Sequence, residues 1–146
     1  MLGEKNRNMV AGKVVLTVAG FLSVLISGYI MLHAMLASLN DDTPSFAFGL
    51  TYSVAALACG VIALRSRNRE KTVIIDVFLP AGLTAIIFIV WLVFNFVTGR
   101  YDGLAYFLLE NLIVASPLVL MFGGAVLRAK GIDEQELQGD RNSNQR

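Results

Sequence analysis

Six side chains stand out for chemistry in a chain dominated by apolar stretches: His33, Tyr52, Asp76, Asn95, Glu110 and Asn111. His33 and Glu110 are the sharpest pair. An imidazole near a carboxylate can relay a proton or hold a cationic group. Structurally, the same pair is an interhelical clasp worth about 0.6–2 kcal/mol. Burying an ionised carboxylate in hydrocarbon is costly, so Glu110 calls for a partner, water or a proton. The bland readings lead for the single residues: a packing role for His33, helix glue for Asn95 and Asn111, and a basic-loop partner for Asp76. In the functional readings Asp76 is an inner polar site and the other five line a pocket.

Other chemistries lack their residues. One His and one Cys leave no metal site within the chain, since structural and catalytic metals need several such ligands. Cys59 reads as packing. No H-E-x-x-H, G-x-S-x-G or glycine-rich phosphate loop occurs, and no Ser–His–acid set is apparent. No enzyme activity and no cofactor are expected. A net charge of +1 gives no basis for nucleic-acid binding.

The elements that must position these residues are visible in the charge pattern. The chain has 146 residues, 55% of them hydrophobic and 16% charged, with mean hydropathy +0.64. Val14–Asn40, Thr43–Leu64, Val77–Gly99 and Asn111–Leu127 contain no Asp, Glu, Lys or Arg. A bilayer core of about 30 Å takes ~20 such residues per helix. The expectation is an all-α polytopic membrane protein, a four-transmembrane-helix antiparallel bundle. Its helices run over about 13–38, 46–64, 73–98 and 104–127, between a cytoplasmic segment 1–12 and a polar tail 128–146. The apolar run of the first span is too long for a removed signal sequence. Thr43 or Ser45 is placed to cap the second helix. The tail reads as solvated, with a short helix around Asp133–Leu137 and disorder beyond it.

Lys5, Arg7, Lys13, Arg65, Arg67, Arg69, Lys71, Arg128 and Lys130 fall on one side of such a bundle. The other side has Arg100 beside Asp41, Asp42 and Asp102. Positive charge stays cytoplasmic, so both termini are expected there, in a cell membrane. The loop of Arg65–Lys71 fixes orientation, with weak attraction for anionic lipid as a by-product.

Two hairpins, 13–64 and 73–127, hint at a parallel repeat. Ala19-Gly20 has a counterpart in Ala81-Gly82, and Gly60–Arg65 resembles Gly124–Arg128, at offsets of 62 and 63–64. Small residues, rather than apolar burial, let helices approach in lipid. Ala19, Ser23 and Ser27 on the first helix are expected to meet Gly49, Ala56 and Gly60 on the second, placing the second near the bundle centre. Pro80 and Pro117 each remove a backbone donor, leaving the Ile113 carbonyl open to a side chain or water.

Depth ties the polar residues together. At 1.5 Å per residue, His33, Tyr52 and Glu110 lie about 8–10 Å below the outer boundary and Asn95 about 5 Å below. A polar pocket near the outside is therefore expected, walled by Tyr29, Tyr52, Trp91 and Tyr106. Tyr101 and Tyr106 also suit interface anchors.

Two functions fit. The first is a non-enzymatic accessory subunit or homo-oligomer protomer, its partners the lipid bilayer and other membrane helices. The second is a small transporter or binder of a small-molecule ligand, using the pocket around His33 and Glu110. A membrane enzyme, a pore former and a toxin-immunity protein are weaker alternatives.

Overall fold

A computed structural model describes residues 2–40, 42–66, 73–99 and 103–143. Among these residues the fold is all-helical: α1 (Leu2–Leu39), α2 (Thr43–Ser66), α3 (Val73–Thr98) and α4 (Leu104–Ser143). Each helix contains a stretch long and apolar enough to cross a membrane, with mean hydropathy of 2.2, 1.9, 2.5 and 1.9 in chain order. The outward surface agrees. Leu25, Val54, Leu79, Leu83, Val97, Leu112 and Val119 are all exposed. Water would penalise such a continuous apolar surface, whereas lipid accepts it. The chain has the make-up of a small multi-pass membrane protein.

The helices form a ring in chain order, with α1 beside α2 and α4, and α3 closing the ring between α2 and α4. Chain neighbours run antiparallel, so α1 begins and α4 ends at one end of the bundle. We call this the termini end, and the other, carrying the 40–42 and 99–103 connections, the two-loop end.

The turns follow local chemistry. The backbone N–H groups of Asn40 and Asp42 both donate to the Ala37 carbonyl, at 3.1 and 3.0 Å, closing α1. Asp42, rather than Thr43 or Ser45, caps α2. Its carboxylate accepts from the Ser45 hydroxyl at 2.5 Å and from the Ser45 N–H at 3.5 Å. Gly99, at φ 66°, ends α3, and Gly103, at φ 154°, starts α4; both backbones favour glycine.

Two helices outrun the expected spans. α1 starts at Leu2 rather than near 13, because residues 2–12 contain no proline and continue the same helix. α4 continues through the segment expected to hold only a short helix around Asp133–Leu137, reaching Ser143 as one helix of 40 residues. No proline interrupts it after Pro117, and Gly131 and Gly139 cost only about 1 kcal/mol each. The Arg67–Lys71 part of the basic loop lies outside the described residues, as do Asp41, Arg100, Tyr101, Asp102 and residues 144–146.

Small residues set the helix spacing. The Ser23 hydroxyl donates to the Ala56 carbonyl at 2.7 Å, and that of Ser27 to the Ser53 carbonyl at 2.8 Å. A Cβ on Gly60 would stand 2.9 Å from the Gly20 carbonyl oxygen, and one on Gly49 would stand 2.7 Å from the Ala34 Cβ. The α1–α2 seam therefore brings backbones together. A second seam joins α1 to α4 at the termini end. There a Cβ on Gly12 would meet the Gly124 oxygen and the Arg128 nitrogen, each at 3.0 Å. α2 is thus one member of a ring, and α1 carries both tight seams. Gly82, the counterpart of Gly20, has open space around it, so α3–α4 does not reproduce the first hairpin's seam.

Across the ring, α2 and α4 run parallel and touch in constant register. The Tyr52 hydroxyl donates to the Val114 carbonyl at 3.2 Å, Cys59 Sγ lies 3.5 Å from Met121 Sδ, and Arg128 Nη1 lies 3.5 Å from the Ser66 carbonyl. Each pair is separated by 62 residues, and successive pairs are seven apart. A seven-residue step keeps one face of each helix on the bundle axis. Arg128, read from sequence as a cytoplasmic flanking charge, is 1% exposed. Its cation sits at the C-terminal carbonyls of α2, where a helix dipole favours positive charge.

Candidate functional site

The two-loop end contains a cavity of about 650 Å³ lined from all four helices. Its origin lies in the seams. α1 is held against α4 by glycine contacts at the termini end, whereas α4 presents Phe107, Glu110 and Asn111 near its other end. Large side chains there keep the helices apart.

α1 contributes Tyr29 and His33, whose rings meet edge-on with centroids 4.4 Å apart. These residues are one helical turn apart, which stacks them on the same face. α2 contributes Ser45 and Phe48, and α3 contributes Phe88, Trp91 and Asn95. Asp42, the α2 cap, stands at the same lining. Phe48 stacks on Trp91 with centroids 4.1 Å apart and planes 6° apart. Tyr52 lies next to Phe48 at 5.7 Å, and Phe94 next to Trp91 at 5.8 Å. Four rings thus form one continuous stack across α2 and α3.

His33, Asn95, Glu110, Asn111, Tyr29 and Trp91 therefore share one lining. Tyr52 does not line it. Its ring is buried beneath, 1% exposed, against Phe88 at 5.9 Å, with its hydroxyl committed to Val114. The side chain of Tyr106 lies outside the described residues.

The clasp between His33 and Glu110 is not formed. Both line the cavity, but no hydrogen bond or ion pair joins them; His33 is exposed and packs on Tyr29, while Glu110 is half-buried. His33 stands on the α1 wall of the cavity and Glu110 on the α4 wall. The asparagines also depart from the interhelical role expected of them. Asn95 Nδ2 donates to the Trp91 carbonyl at 2.9 Å, and Asn111 Nδ2 to the Phe107 carbonyl at 2.7 Å. These bonds stay within one helix and leave each amide oxygen able to accept from something else. Asp76 stands apart, half-buried in the first turn of α3 at the termini end, where it is already engaged in an interaction.

Below the cavity the bundle is filled. Tyr52, Ala56 and Phe88 form one buried cluster, and Leu16, Val77, Leu118 and Met121 continue the core toward the termini end. The site therefore opens on one side. Among the described residues no three His, Cys, Asp or Glu side chains gather as a metal site would require.

Two features were out of reach of sequence reading. Phe48 and Phe88 look like lipid-facing bulk in sequence, because a phenylalanine carries no mark of which way it points. Asp42 reads as a turn residue, and only the fold brings its carboxylate to the same mouth as Glu110. Comparison with protein-family models, curated proteins and solved structures finds no match to this chain.

Proposed function

We propose that this chain is a non-enzymatic, ligand-binding protein of the cell membrane, taking a small molecule into the cavity at its two-loop end. The cavity itself carries this reading. Its volume of about 650 Å³ falls within the few hundred to ~1,000 Å³ of small-molecule sites. Its walls are mainly apolar, aromatic and aliphatic together, with polar groups converging among them, as such sites require. Polar side chains in a membrane helix are costly unless they line a wet cavity or pair, and here His33 and Glu110 line one without pairing to each other. The buried core beneath supports binding from one side rather than a continuous pore through one subunit.

The charge bias supports a cytoplasmic location for the basic helix ends and both termini, an orientation in which the cavity opens outward. The competing reading, an accessory or oligomer-forming subunit, needs small-residue faces open to partner helices. Ser23, Ser27, Gly49 and Gly60 are occupied within the chain's own α1–α2 seam, which weakens that reading.

Trp91, the single tryptophan, is a built-in reporter. The purified protein in lipid nanodiscs should show changed Trp91 emission and a raised melting temperature with members of a panel of small aromatic cations, anions and neutral compounds. Ala37→Phe, which narrows the cavity, should weaken both responses. A silent panel, or responses unchanged by Ala37→Phe, would overturn the reading.

A further inference from the structure

Resting on that reading, we propose that the ligand is an organic cation, an ammonium or quaternary ammonium group carried on an apolar body. Three features of the cavity converge on this class.

The first is charge. Among the described residues the lining holds two carboxylates, Asp42 and Glu110, and neither Lys nor Arg. His33 is the one described lining group able to carry positive charge. The Asp42 carboxylate is occupied by its cap to Ser45, which leaves Glu110 as the counter-ion. A lining with an excess of one sign of charge concentrates ligands of the opposite sign.

The second is the apolar wall. Phe48, Phe88, Trp91 and Phe107 line the cavity and offer an uncharged surface against which the apolar body of such a ligand packs. The third is the supply of acceptors. The Asn95 and Asn111 amide groups spend a donor on their own helices, which leaves oxygens able to accept from an ammonium N–H. An anionic ligand would meet two carboxylates and no described Lys or Arg.

The same chemistry occurs in a free solute and in a choline lipid headgroup, and the experiment separates them. Binding of benzyltrimethylammonium, its uncharged isostere neopentylbenzene and the anion benzenesulfonate is followed by Trp91 emission in phosphatidylglycerol nanodiscs. The cation is expected to bind at least tenfold more tightly than the isostere. Glu110→Gln should remove that advantage and leave the isostere's binding intact, which also shows that the variant is folded. Repeating the titration in phosphatidylcholine identifies the source. An undiminished cation response there means a free solute, and a weakened one means that the headgroup competes for the site. Equal binding of cation and isostere, tighter binding of the anion, or an unaltered cation affinity in Glu110→Gln would overturn the cation class while leaving a ligand site standing. Binding of none of the three, with none from the wider panel, would remove the ligand site itself.

Discussion

The Tyr52 hydroxyl reaches across the bundle to the Val114 carbonyl, 3.2 Å away, joining two parallel helices that are not neighbours in the ring. The contact lies three residues before Pro117, where the helix ladder is already broken. The adjacent Ile113 carbonyl, which loses its donor to that proline, accepts from the Ser116 hydroxyl at 2.8 Å. Two side chains thus serve the carbonyls of one proline site, and Tyr52 also floors the cavity. Tyr52→Phe should cost about 0.6–2 kcal/mol, the range for interhelical hydrogen bonds in membranes. Reversible unfolding in detergent measures it, and a variant as stable as the parent would show that the bond contributes nothing.

The glycine seams predict a contrast. Gly60→Val forces a side chain against the Gly20 backbone and should destabilise by about 1–3 kcal/mol or more. Gly82→Ala meets open space inside a helix and should be neutral, or stabilising by about 0.5–1 kcal/mol. Melting temperatures of the two variants test the contrast directly.

Arg128 is buried beside the Ser66 carbonyl and should act as a structural cation. Its replacement by Ala is expected to cost about 1–3 kcal/mol through a lost charge-assisted bond and unfilled space. Arg128→Lys should recover part of this. Insertion orientation should stay unchanged in both, because the other basic residues of that side still set it.

Orientation can be read by impermeant thiol labelling. Cys59, the single cysteine, is buried, and Cys59→Ala supplies a clean background. In intact cells a cysteine replacing Asp102 should label, and one replacing Ser143 should label only after permeabilisation. The reverse pattern would turn the cavity toward the cytoplasm.

Hydrophobic length and charge spacing were enough to mark four spans, because a bilayer imposes a minimum run on any helix that crosses it. Helical periodicity placed Ser23 and Ser27 on one face, and that face is where α2 packs. Helical rise placed His33, Asn95 and Glu110 near one level, since depth follows from residue number. Periodicity and rise say nothing about which faces of different helices turn toward each other. That is why His33 and Glu110 line one cavity without touching, and why Asn95 and Asn111 bond within their own helices. Tyr52 lies under the cavity rather than on it, because its hydroxyl is held by a carbonyl 62 residues away. Arg128 reads in sequence as one more flanking charge, and only the close passage of Gly12 past α4 helps enclose it. Local composition decides what each helix is. The distances between helices depend on small residues meeting in pairs across the chain, and those pairings are settled only when all four pack together.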